Sequence, residues 1–246
     1  MAGILFIISA PSGSGKSTLV SELRKQVTGV DFSVSWTTRP PRGSEENGRE
    51  YCFTTREEFE RMRDDGMFLE YAEVFGNYYG TARLSLDEAR RLGHDLLLDI
   101  DVQGAGQVRK SMPEAVSIFV LPPTPKVLRT RLRNRMRAEG MVNEAELYRR
   151  LSEASKEIEK YADYGYILIN DILDRTVAQL EAIVLSERYY RNGEPIVYRS
   201  SRVLEVAAAC RLENSRERLK PVLEAFGIIG SSGQQQLPFG DDSDDD

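Results

Sequence analysis

The chain has 246 residues, 41% hydrophobic and 29% charged, with a formal net charge of −6. That is enough chain for one well-buried domain with an extension, in the balance of a soluble globular protein. The acidic sum argues against a nucleic-acid partner. The two distant cysteines, Cys52 and Cys210, and the single histidine, His94, argue against a disulfide framework, most zinc sites and histidine-based catalysis.

The first element is a branched apolar run from Ile4 to Ile8. It lacks the basic start and cleavage site of a signal peptide and reads as a buried parallel strand. No apolar run reaches membrane-spanning length, so the expected location is the cytoplasm, with no membrane partner. The strand leads into Ala10-Pro11-Ser12-Gly13-Ser14-Gly15-Lys16-Ser17-Thr18. Apart from Ala10 at the first position, this is the P-loop pattern of Gly, four residues, then Gly-Lys-Ser/Thr. Gly13 and Gly15 permit a backbone that turns several N–H groups toward one anion, and a helix over Ser17 to Lys25 adds its positive end. Lys16 is expected to reach the β- and γ-phosphates of a nucleoside triphosphate, and the Ser17 hydroxyl to bind Mg²⁺.

Between Asp31 and Thr81 the texture changes. Phe32 to Trp36 alternates like a half-exposed strand. Glu50 to Phe53, Phe68 to Val74 and Tyr78 to Thr81 read as further short strands of a small mixed sheet inserted into a parallel core. Arg39 and Arg42, three apart on a proline-stiffened segment, can fork onto one phosphate, and Tyr51 can add a phenolic donor. Glu70 and Glu73 follow. A carboxylate suits guanine, whose N1–H and N2 amino group are adjacent donors; adenine presents an acceptor at N1 and leaves the carboxylate unpaired. Spacing alone leaves both glutamates as candidates.

Leu96 to Ile100, Val116 to Leu121 and Ile167 to Ile169 are further buried strands. Helical patterns separate them: Leu84 to Leu92, Val102 to Lys110, Pro125 to Arg137, Glu144 to Tyr161 and Arg175 to Tyr190. This alternation implies a parallel sheet covered on both faces. Asp99 and Asp101 end one strand and, by alternation, share a side; one can order Mg²⁺ or its waters, the other the acceptor base. The helix over 125–137 carries five arginines. At about 100° per residue, Arg129, Arg133 and Arg137 form one stripe and Arg131 and Arg135 another, and only one stripe can face a ligand. Arg202 to Phe226 reads as one or two helices. The stretch from Gly230 to Gln236 is linker-like, and the acidic run from Asp241 to Asp246 has too little apolar content to fold alone.

The phosphate loop, Ser35…Thr37-Thr38-Arg39…Pro41-Arg42…Gly48…Tyr51, Gly76-Asn77-Tyr78-Tyr79-Gly80-Thr81 and Leu98-Asp99-Ile100-Asp101…Gln103-Gly104 together resemble the guanylate kinases, in order, over roughly Gly3 to Tyr190. Ala10 at the first loop position is common in bacterial members. The resemblance implies an α/β fold of the P-loop NTPase type. Residues 1–190 would be the kinase domain, with a mixed-sheet GMP-binding insertion at 31–83 and a helical lid at 124–155. A helical extension (191–229) and a disordered acidic tail (230–246) lie outside it; the extension's packing on the core or its self-association into a homo-oligomer stay open.

The implied reaction is transfer of the ATP γ-phosphoryl group to GMP, giving ADP and GDP, with Mg²⁺. The implied ATP site is Ala10 to Thr18, with Asn170 near the adenine. Arg39, Arg42, Tyr51 and Tyr79 are implied on the GMP phosphate, and Ser35, Glu70, Thr81 and Asp101 around guanine. The choice of Glu70 over Glu73 comes from this resemblance. Lys16, Arg39, Arg135 and Arg150 are implied in catalysis, with Ser17 and Asp99 at the metal. Arg131 matches another lid position, and Met136 stands where the family usually has Gly. Two other readings compete. Scaffold-type domains resembling guanylate kinases typically lose the loop lysine, which is present here. GTPases use an Asn-Lys-x-Asp motif, which is not in this chain.

Overall fold

A computed structural model describes residues 3–74, 76–138, 140, 143–193 and 200–230. The apolar runs form one parallel sheet in the order β2 (Val30–Phe32), β7 (Asp95–Asp99), β1 (Leu5–Ser9), β8 (Val116–Leu121), β9 (Tyr166–Ile169). Every residue of β1 and β8 is buried. That is why these strands read as continuous apolar runs: both faces are covered, so neither needs polar alternation.

Phe6, Ile8, Leu97 and Ile118 face a core built with α1 (Lys16–Gln26) and α7 (Leu173–Asn192). Leu5, Ile7, Leu96 and Phe119 face a second core, shared with α3 (Arg83–Leu92), α4 (Val102–Ser111), α5 (Pro125–Ala138) and α6 (Glu144–Ile158). The α6 helix ends earlier than the sequence pattern suggests, because Glu159–Asp163 tightens into a 3₁₀ turn. No helix among the described residues is long and apolar enough to cross a membrane.

A second sheet has the order β4 (Cys52–Phe53), β3 (Trp36–Thr37), β6 (Asn77–Ala82), β5 (Phe68–Val74). It is mixed, with β3 parallel to β4 and antiparallel to β6. Two expectations change here. The alternating stretch from Phe32 to Trp36 is not one strand of the insertion: Val30–Phe32 pairs in parallel with β7 at the edge of the main sheet, and only Trp36–Thr37 joins the small sheet. A helix the apolar pattern did not suggest, α2 (Arg56–Asp64), packs on the small sheet. Its signal is a cap: the Thr55 side chain accepts from the Glu58 N–H, and Thr55-Arg56-Glu57-Glu58 has the spacing of a capping box. Phe59 and Met62, three apart, then bury against Phe68, with the Phe59 and Phe68 rings stacked at 4.5 Å.

The extension forms two helices, α8 (Ser200–Cys210) and α9 (Arg216–Ala225), and both pack into the cores that cover the main sheet. From residue 231 onward the expected linker and acidic tail lie outside the described residues.

Candidate active site

The β1 strand ends at Ser9, and the loop turns over the sheet's carboxyl edge into α1. Gly13 and Gly15 have φ of 85° and 89°, in the left-handed region. Space forbids a side chain as well: a Cβ on Gly15 would lie 2.4 Å from Asn170 Nδ2, and one on Gly13 3.0 Å from Leu128 and Leu132. The Ser14 carbonyl accepts from Asn170 Nδ2 at 2.7 Å and Arg131 Nη1 at 3.2 Å, while Arg131 Nη2 donates to the Asn170 carbonyl at 3.0 Å. Ala10 is buried in the apolar core, so a methyl group is accommodated at the first loop position.

Lys16 Nζ contacts Asp99 Oδ1 at 2.5 Å and donates to the Ile100 carbonyl at 3.0 Å. Burial opposes the lysine charge, but Asp99 outweighs it and the ammonium pKa is raised. Asp101 does not share a strand face with Asp99. β7 stops at Asp99, and Asp101 caps α4, its Oδ1 accepting from the Gly104 N–H at 2.8 Å. The two carboxylates reach one cleft by different routes: a strand end and a helix cap.

The β5–β6 hairpin supplies the facing wall. Alternation along β5 buries Glu70 and Ala72 and exposes Tyr71 and Glu73, so the strand's pleat selects Glu70 as the inward carboxylate. Glu70 is 4% exposed and accepts from Thr81 Oγ1 at 2.6 Å. Burial pushes its carboxyl pKa up to about 7; the Thr81 hydrogen bond opposes this and the Asp101 charge adds to it. Gly104 lets α4 approach, since a Cβ there would meet Glu70 Oε2 at 2.1 Å.

Ser35, Arg42, Tyr51 and Tyr79 also line the cleft, with the Tyr51 and Tyr79 rings edge-to-face at 5.8 Å. Arg39 does not join Arg42 in this wall. Its guanidinium is 7% exposed, bonded to the Pro40 carbonyl and to Glu45 at 2.9–3.0 Å, and lies 5.2 Å over the Tyr51 ring. Ser14 and Thr81 are buried and outside the cleft lining.

The third wall is the expected lid region. Arg131 and Arg135 face the cleft. Arg129 and Arg133 of the other stripe face α6, where Arg129 lies 5.4 Å over the Tyr148 ring and Arg133 pairs with Glu144 at 3.1 Å. Met136 belongs to the buried core, and nothing at that position touches the cleft. On α6, Arg150 is held by Glu146 at 2.8 Å. Arg150, Glu153, Ala154 and Glu157 line the cleft from one helix face. The two glutamates escaped sequence reasoning, although their spacing of three and seven from Arg150 was a usable signal. Burial pushes Glu157 up to about 7; Lys16 opposes this and Asp101 adds to it.

One cleft of about 820 Å³ runs between the three walls, a size typical of small-molecule sites. Ser17 and Asp99 both line it and offer a hydroxyl and a carboxylate, hard oxygen donors of the kind Mg²⁺ takes. No cluster of three or more His, Cys, Asp or Glu able to hold a metal occurs among the described residues. A cation held here would take one or two protein oxygens, from Ser17 and Asp99, and the rest of its ligands from outside the protein.

A family model described as guanylate kinase matches residues 3–187. The chain belongs to the guanylate kinase family. It is 51% identical over 226 residues to the guanylate kinase of Koribacter versatilis, covering 92% of this chain and 97% of that protein. It is 46% identical over 205 residues to the guanylate kinase of Alkalilimnicola ehrlichii, covering 83% and 99%. Among solved structures, the guanylate kinase from Anaplasma phagocytophilum superposes with a TM-score of 0.63 at 29% identity, over 93% of this chain and 97% of that one. The guanylate kinase match ends within α7. An overlap of 226 residues in a chain of 246 extends past α7, so the alignment with the Koribacter relative runs on into the sequence of α8 and α9.

Proposed function

We infer that this protein is an ATP:GMP phosphotransferase, passing the γ-phosphoryl group of ATP to GMP to give ADP and GDP in guanine nucleotide recycling. Membership of the guanylate kinase family supports the reaction. The observation that carries the acceptor assignment is Glu70, an inward carboxylate across the cleft from the phosphate loop. Ionised, it accepts from guanine N1–H and N2–H together; an adenine base would leave it unpaired. Ser35, Thr81 and Asp101 complete the guanine pocket in this reading, with Thr81 acting through Glu70.

Phosphoryl transfer is catalysed chiefly by positioning and by neutralising charge on the transferring group. Residues Ala10 to Thr18 cradle the ATP phosphates, with Asn170 beside the adenine. Lys16 follows the γ-phosphoryl group as it moves. Arg135 and Arg150 bring positive charge from the lid, which also excludes water that would otherwise take the phosphoryl group. Arg42, Tyr51 and Tyr79 hold the GMP phosphate; Arg39 joins them by exchanging Glu45 for that phosphate. Ser17 and Asp99 would hold Mg²⁺, which would supply positive charge to offset that of the phosphates. A cytoplasmic location fits soluble nucleotide substrates.

A coupled assay of ADP formation from ATP and Mg²⁺ tests the proposal. ADP is expected only when GMP is present, with AMP and CMP poorer by about 10³-fold or more in kcat/KM. Equal rates with AMP would remove Glu70 from its role.

A further inference from the structure

The family match stops inside α7 and leaves α8 and α9 without a role. Their placement supplies one. β9 is the edge strand of the main sheet, so one side of its backbone has no strand partner. The extension takes that side. Arg211 forms an antiparallel bridge with Tyr166, and the Leu212 N–H donates to the Gly165 carbonyl at 2.9 Å. Arg218 Nη2 donates to the Ile167 carbonyl at 3.0 Å. Gly165 and Ile167, two apart, present their carbonyls to the same side of the strand. On one face of the sheet, Ala207 and Cys210 of α8 enter the core containing α1 and α7; on the other, Leu219, Val222 and Leu223 of α9 enter the core containing α5 and α6. Glu187 of α7 ties the crossing down, accepting from Tyr166 Oη at 2.5 Å and pairing with Arg211 at 3.3 Å. The extension thus straddles the sheet edge.

The residue immediately after β9 is Asn170. It is 4% exposed, and its Nδ2 and carbonyl join the Ser14–Arg131 hydrogen bonds beneath the phosphate loop. Gly15 has no clearance from it. Close-packed interiors transmit small shifts, and phosphoryl transfer is sensitive to misplacement of about 1 Å. The guanine wall hangs from β5, β6 and α4, away from this edge.

We propose that residues 200–230 are a clip over the β9 edge that holds the donor side of the active site in register, with Arg218 as its positioning residue. This rests on the reading of Asn170 as part of the ATP site. A clip acting only on stability would lower the melting temperature and leave nucleotide affinities alone. A clip that sets the donor site separates KM for ATP from KM for GMP.

The test uses full-length Arg218→Met, Arg218→Lys, Asn170→Ala and, as a control, Lys220→Ala on the exposed side of α9, with both KM values, kcat and Tm measured. Arg218→Met is expected to raise KM for ATP about five-fold or more and to leave KM for GMP within about two-fold, with Arg218→Lys intermediate and Lys220→Ala at the parent values. A fall in Tm with KM for ATP at the parent value overturns the proposal, as does an equal rise in both KM values. If Asn170→Ala leaves KM for ATP unchanged, the assignment of Asn170 fails instead. Should Arg218→Met not fold, amide hydrogen exchange of Arg218→Lys decides: faster exchange at Asn170 and Ser14 supports the clip, and parent exchange there overturns it.

Discussion

The Thr81 hydroxyl donates to Glu70 Oε1 across 2.6 Å, in a wall where both side chains are buried. This bond holds the carboxylate facing the cleft while its surroundings resist its charge. In the proposed function, Glu70 is therefore a group whose ionisation couples folding to substrate recognition.

That coupling has a definite sign. The folded pKa of about 7 lies above the ordinary value of 4.5, so the neutral form favours the fold. The stability it contributes is fully present below about pH 4.5 and is lost as pH rises through about 7. Glu70→Gln, which never ionises, should be more stable than the parent at pH 8 by about 2–3 kcal/mol, with the gap closing below about pH 4.5. Urea melts of both proteins across this range check it.

Recognition runs the other way. Only the ionised carboxylate accepts two hydrogen bonds from guanine, so parent affinity for GMP should gain from Glu70 ionisation as pH rises through about 7. Glu70→Gln should lose that gain and bind GMP about 10²-fold more weakly at pH 8. Calorimetric titration of both proteins, compared as a difference, cancels the ionisation of GMP itself.

Lys16 contacts Asp99 in the free protein and turns to the phosphates in the proposed mechanism. Lys16→Ala should lower kcat by about 10³-fold or more while GMP still binds, because the hydrogen bond that orients Glu70 comes from Thr81 and the lysine reaches Glu70 only as a charge favouring its ionised form. Rapid-quench turnover and GMP titration on the same preparation separate the two outcomes.

The arginines of α5 should divide by stripe. Arg135→Met, on the cleft side, should cut kcat by about 10²-fold or more. Arg133→Met breaks only a half-exposed pair with Glu144 and should stay within about two-fold in kcat and about 1 kcal/mol in stability. Comparable losses in both variants would mean that the helix face is wrongly assigned.

Removing the residues after Ile229 should leave kcat and both KM values at parent levels, since α9, its buried Leu219, Val222 and Leu223, and the buried Phe226 at its C-cap all precede the cut. A large loss of activity would mean that the acidic tail reaches the active site.

The local features were legible in the sequence because each is fixed by local physics. The phosphate loop needs glycines where φ is positive, the doubly covered strands need unbroken apolar runs, and the arginine stripes follow from helical period. Helix α2 was missed because its hydrophobic period rests on only Phe59 and Met62; the Thr55 and Glu58 capping pattern was the usable signal.

What the tertiary structure decided depends on contacts between segments distant in the chain. Glu70 and Glu73 are alike in spacing; which one faces the cleft is set by the register of β5 on β6 and by the side on which that hairpin packs. Asp101 reads as a strand residue until the end of β7 at Asp99 makes it a helix cap. Arg39 and Arg42 are neighbours in sequence, yet Glu45 holds one of them out of the wall that the other lines. The two helices beyond α7 have ordinary amphipathic sequences, and only the open edge of β9 gives them a place. Local sequence specifies which groups the chain can present. Pairing and packing across long separations determine which of them meet, because a strand register or a capped edge is a property of two segments at once.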